Sequence, residues 1–188
     1  MTPRSVAQRE RTIEMAQAFL AEVRHDLERA TAAGCDLPPR LRSVHVRAGH
    51  ATPEYRTLAI PTDAVAGGGS PEVLSGMIAR YAAMHPPSCM ILALDGLTQG
   101  DDGESCPILI AEARDVAGTR IFWMQPFRAV GGKIEWETPL CGGWQDPADQ
   151  ELILDLAFVE MQAVAQEAPP PPARRTVRRP ASEPHLIS

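Results

Sequence analysis

The chain is poor in the residues that make several function classes recognisable. Its four cysteines, Cys35, Cys89, Cys106 and Cys141, stand too far apart to form a CxxC unit, which excludes a zinc ribbon on spacing. Four in 188 residues is also too sparse for a disulfide scaffold. Aromatic residues make up only 5%, too few for a base-stacking surface. Lysine occurs once, at Lys133, among 18 basic residues that are otherwise arginine. Codon bias in a GC-rich genome explains that imbalance better than any physical rule, and it suggests a bacterial source. No apolar run approaches the ~20 residues of a membrane helix. The opening MTPRSVAQRERTIEMAQAFL lacks the apolar core of a signal peptide. The expected compartment is the cytoplasm, with no membrane partner. There is no internal repeat, no GxGxxG and no Walker lysine.

What is present is enough for one core. With 44% hydrophobic and 22% charged residues, the chain reads as an ordinary globular protein. A single domain is expected over 1–167. Beyond it, residues 168–188, APPPPARRTVRRPASEPHLIS, combine dense proline with no apolar periodicity. A disordered Pro/Arg-rich tail is expected there, with polyproline II at 169–172. Charge follows the same division. Residues 169–188 hold Arg174, Arg175, Arg178 and Arg179 against Glu183, a balance of +3, so the −6 of the whole chain leaves −9 on residues 1–168. An acidic body repels phosphate backbones and makes a poor nucleic-acid binder.

Hydropathy patterns order the elements. Over 6–31, Ile13, Ala16, Leu20, Val23 and Leu27 recur at helical spacing with Phe19 beside them, and Gly34 is a stop signal. Leu37-Pro38-Pro39-Arg40 breaks the chain before strands at 43–48 and 56–60. Ser70 and Pro71 open a helix with a Leu74, Met77, Ile78 and Tyr81 stripe, which ends at His85-Pro86-Pro87. Strands follow at 89–97, 106–116, 119–127 and 133–138, joined by turns short enough for an antiparallel meander. Pro126 suggests an edge or a bulge. A last helix is expected from 147 to 167, capped by Asp146, started by Pro147, with Leu152, Leu156, Val159 and Ala163 inward and Ile153 beside them. The expected fold is α+β: an antiparallel sheet of four to six strands covered by an N-terminal, a middle and a C-terminal helix, in two or three layers. In element order this resembles the roadblock and profilin-like scaffolds, which are often dimers or adaptors. That resemblance implies a binding role and assigns no residue.

The chemistry-bearing residues are few. In LCGGWQDP (140–147), glycines beside Cys141 and a helix start at 147 would lower a thiol pKa, which makes Cys141 the candidate nucleophile or redox group. The bland reading is a small buried residue at a strand end. Trp144 is a candidate binding residue, or else packing over the start of the last helix. Arg174, Arg175, Arg178 and Arg179, after Pro169-x-x-Pro172, are candidate contacts to a partner or to the acidic body. His45 and His50 are an alternative metal or ligand pair, although their spacing does not place both on one face of an element. Asp95, Asp101, Asp102 and Glu104 read as a solvated acidic loop, AVAGGGSPE (64–72) as a flexible connection. Glu112, Glu135 and Glu137 lie on neighbouring strands, and Glu112 and Glu135 form a carboxylate pair only if register brings them to the same side. No complete catalytic set emerges, and no cofactor or metal is expected. The leading expectation is a non-enzymatic binding or adaptor module that engages a protein partner or self-associates, with a homodimer through a sheet edge or the first helix.

Overall fold

The computed structural model describes residues 3–46, 52–61, 70–99 and 103–167, with only the backbone at 3–5 and 162–167. Helix α1 spans Pro3–Ala33, β1 Arg40–His45, β2 Glu54–Ala59, α2 Pro71–Met84, β3 Cys89–Gln99, β4 Ser105–Asp115, β5 Arg120–Val130, β6 Lys133–Trp136 and α3 Ile153–Glu167. A short 3-10 turn at Leu140–Gly142 lies between β6 and α3. The fold is α+β, with one six-stranded antiparallel sheet in the order β2-β1-β3-β4-β5-β6. The first strand begins at Arg40, three residues before the expected start, because Arg40 already pairs with Ala59 on one side and Ala93 on the other.

Period-two alternation sorts β3 between two cores. Cys89, Ile91 and Ala93 join the α1 side, whereas Met90 and Leu92 join the α2 and α3 side. A strand covered on both faces reads as a continuous apolar run, which is why CMILAL lacks alternation. The sandwich therefore has three layers.

The α1 layer follows its sequence closely. Ala16, Phe19, Leu20, Val23 and Leu27 are all buried, each large side chain contributing about 1.5–3 kcal/mol. The helix ends where Gly34 adopts φ +68°. Cys35 N–H donates to Ala30 O at 2.9 Å and Gly34 N–H to Thr31 O at 3.1 Å, the paired bonds of a Schellman cap. Near its start, α1 is pinned by Asp115. This buried carboxylate accepts bonds from Gln8 Nε2 and Thr12 Oγ1, each at 3.0 Å, and from Ala117 N and Thr119 N, each at 2.9 Å. Burial pushes the Asp115 carboxyl up, but the bonds from Gln8, Thr119 and Thr12 outweigh it and hold the group below its ordinary value.

The other layer departs from expectation. In α2, Leu74 and Ile78 are buried as predicted and Tyr81 is half-buried, but Met77 is exposed while Ser75, Ala79 and Ala82 are buried. Small residues face inward because α3 packs closely there: a Cβ on Gly76 would stand 3.3 Å from Glu160 Oε2.

Helix α3 starts at Ile153, not at Pro147. Asp146 Oδ1 accepts from Ala148 N at 3.0 Å, and Ala148 sits at φ +49°, outside helical space. Arg120 donates to the carbonyls of Ala148 and Gln150 at 3.1 and 2.7 Å, so Asp146 closes a local turn instead of capping a helix. The actual start is capped from elsewhere. Glu112 Oε2, buried on β4, accepts from Leu154 N at 3.1 Å, and Asp155 Oδ2 accepts from Leu152 N at 3.0 Å. Asp155 also holds Arg114 and Arg120 in ion pairs. This later start changes the phase of the inner stripe. Leu154, Ala157 and Phe158 are buried with Leu152, Met161 packs beside them, Leu156 is half-buried and Val159 is 64% exposed. The side chain of Ala163 lies outside the described residues.

Candidate binding cleft

Few aromatics are present, yet all three tryptophans of the chain gather on the α1 side of the sheet. Trp123 points inward from β5 and is buried; Trp136 of β6 and Trp144 are half-buried against the same core. Trp144 is placed by backbone pairing. Gln145 and Phe122 exchange bonds of 2.9 and 3.0 Å, which makes Trp144 the cross-strand neighbour of Trp123. Their ring centroids stand 6.3 Å apart, tilted by 35°, within the range of favourable aromatic pairs.

The glycines of LCGGWQDP let the chain reach that position. Gly142 and Gly143 adopt φ +79° and +132°, which side chains disfavour. The segment from Glu137 to Gln145 thus runs along the outer side of β5 as a strap. Glu137 N–H donates to Pro126 O at 3.0 Å, and Gln125 Nε2 donates to Glu137 O. Pro126 lies inside β5 but one residue before the stretch that pairs with β6, so its outer side is a local edge of the ladder. Its carbonyl meets the strap just beyond the end of β6, on the side where its own missing N–H would have pointed.

Between strap and α1 runs a cleft of about 420 Å³. Ile13, Gln17, Leu20, Ala21 and Arg24 form the helical wall, and Trp123, Pro139, Gly142, Gly143 and Trp144 line the rest. Arg24 lies over the Trp136 ring, 4.4 Å from its centroid, while Trp136 Nε1 donates to Glu28 at 2.7 Å. The cleft is shallow, largely apolar and aromatic, with polar groups at its rim.

The predicted site residues are distributed unequally. Trp144 is in the cleft, but covers Trp123 and α1, not the start of α3. Cys141 stands at the rim, exposed, at φ +55°. No described side chain hydrogen-bonds to its sulfur, and the α3 start expected beside it lies at Ile153. His45 is occupied: Nδ1 is 3.2 Å from Pro86 O, and Nε2 is 3.1 Å from Ser43 Oγ, which also meets Tyr81 Oη at 3.0 Å. Ser43 is fully buried while His45 and Tyr81 are half-buried, so this line of hydroxyl, imidazole and phenol joins β1 to α2 and leaves both imidazole nitrogens engaged. His50, Asp101, Asp102 and Arg174, Arg175, Arg178 and Arg179 lie outside the described residues. Among the described residues, no three His, Cys, Asp or Glu side chains gather where they would hold a metal ion.

Glu112 and Glu135 do not pair. They lie opposite Phe122 and Arg128, about 20 Å apart along β5. Glu112 is instead the cap of α3, and burial, opposed by the Leu154 and Ile153 N–H groups and reinforced by Asp155, pushes its carboxyl up. Trp123 and Trp136 were not singled out by sequence reasoning. The available signal was their inward parity, in IFWMQPF and KIEW respectively.

No helix of the described residues is long and apolar enough to cross a membrane. No family model, curated protein or solved structure matches the chain.

Proposed function

We propose that the chain is a non-enzymatic protein-binding module whose contact surface is the tryptophan cleft. The pairing of Trp144 with Trp123 in one shallow opening, with Trp136 packed on the same core beside it under Arg24, carries this reading. A half-buried tryptophan such as Trp144, backed by a buried one and flanked by apolar walls, offers large contact area at low entropic cost, and such residues dominate binding hot spots. Truncation of a central aromatic should therefore remove most of the affinity. Quantitative capture from source-cell extract with the wild type and with Trp144→Ala tests the reading. Partners retained by the wild type and lost by the variant support it; an identical capture profile overturns it.

One observation favours a thiol-dependent function as the second reading: Cys141 is exposed, one residue before the cleft-lining Gly142. Alkylation of Cys141 against pH, with Cys35, Cys89 and Cys106 replaced, decides it. A midpoint well below the free-thiol value of ~8.5 supports that reading, and an ordinary midpoint overturns it.

A further inference from the structure

We propose that the cleft receives the proline run Pro169–Pro172 from a second copy of this chain, with Arg174 placed against Glu10. The inference rests on the binding reading above and names its partner. Proline-rich segments dock on aromatic-walled grooves because the polyproline II helix is preformed and loses little freedom on binding. The cleft has that character, with Trp144 against Trp123 on one side, Pro139 beside them and Ile13 and Leu20 on the helix. The chain itself carries the matching ligand, APPPPARR at 168–175.

Charge sets the direction. Glu10 precedes Ile13, Gln17 and Arg24 at helical spacing on the cleft side of α1, and it is exposed. It marks the acidic end of the wall. Arg24 marks the other end, where it covers Trp136 beside Glu28. A ligand ending in Arg174-Arg175 is therefore directed with its arginines toward Glu10. The overall balance agrees, +3 on residues 169–188 against −9 on residues 1–168.

Reach makes the occupant a second copy. Helix α3 lies on the opposite face of the sheet from α1, and its 15 residues extend about 22 Å from a start beside Glu112 toward the end of β4, where Arg114 lies over Phe158. From Glu167 to Pro172 the chain spans at most about 17 Å, and it must round the sheet. With one cleft and one proline run per copy, reciprocal exchange closes as a two-fold dimer.

Sedimentation of the full chain over a concentration series provides the test, together with a synthetic peptide of residues 168–176 as probe. The wild type should associate reversibly. The variant with Pro169→Ala, Pro170→Ala, Pro171→Ala and Pro172→Ala should be monomeric and should bind the peptide with a change in tryptophan emission. Ala21→Arg, at an exposed position that leaves the core intact, should weaken peptide binding at least about tenfold, and Glu10→Gln less. A wild type monomeric at every concentration overturns the proposal, as does a dimer untouched by the proline variant. A monomeric wild type that excludes the peptide, while the proline variant binds it, overturns the second copy in favour of the chain's own tail. If the peptide fails to bind while Trp144-dependent capture persists, the polyproline partner falls and the binding reading stands. If both fail, both readings fall.

Discussion

The two faces of the sheet are covered by different physical means. On one side α1 brings its own instructions: an apolar stripe, a glycine stop and a length that needs no help from the sheet. On the other, α3 is started by the sheet. Glu112 supplies the acceptor for Leu154 N–H, and Arg120 takes up the carbonyls of Ala148 and Gln150. A helix whose ends are set locally is legible in sequence; one capped across the fold is not.

Substitutions can sharpen that contrast. The largest losses belong to the cores, where the faces should behave alike: Phe19→Ala under α1 and Phe158→Ala in α3 should each cost about 3–5 kcal/mol in denaturant unfolding. The faces should separate at their anchors. Asp155→Ala strands Arg114 and Arg120 and removes the bond to Leu152 N–H; about 2–3 kcal/mol is expected, at the lower end because both arginines are partly solvated.

Next comes Glu112→Ala, at about 1–3 kcal/mol for the unmet N–H group, whereas Glu112→Gln keeps an acceptor and should lose little. Titration separates the faces further. Glu112 has a folded-state pKa above its ordinary 4.5, so its contribution to stability is full below that value and falls as pH rises through the folded pKa. Asp115 has a folded-state pKa below its ordinary 3.8, so its contribution is present above that value and is lost as pH falls through the folded pKa. Unfolding measured from acid to neutral pH should lose the first slope in Glu112→Gln and the second in Asp115→Asn. Both slopes surviving in both variants would remove these carboxylates from the account.

Gly34→Ala should cost about 1 kcal/mol, from the left-handed backbone alone, since nothing stands within 4 Å of the added Cβ. The smallest effect belongs to Val159→Ala, within about 0.5 kcal/mol. Val159 lies in the apolar stripe expected for a helix begun at Pro147, and a core-sized loss there would show that α3 is packed in that phase after all.

These particulars show what sequence could reveal. Among the described residues, each strand and each α-helix answers to an expected element, because periodicity is a local property and the buried strands alternate or run apolar according to how many faces are covered. The stripe of α1 was legible for the same reason. The start of α3 was not. Asp146-Pro147 carries a correct local signal, which Arg120, some 26 residues earlier, redirects into a turn. At the cleft, Trp144 was visible as an unusual residue between glycines and a helix. Its partner Trp123 was not, since strand register is a tertiary fact and one residue of slip would turn the ring to the opposite face.

The strap from Glu137 to Gln145 has a consequence for solubility. Strand β6 pairs with only the last four residues of β5, Phe127–Val130, so upstream of Phe127 the outer backbone of β5 would be open to another chain. The contacts at Pro126 and Phe122 close it. An uncovered strand of that kind is a template for aggregation. Loosening the glycines before Trp144 would therefore endanger the protein in concentrated solution before it unfolds it, and whatever holds Trp144 in place also keeps the molecule dispersed.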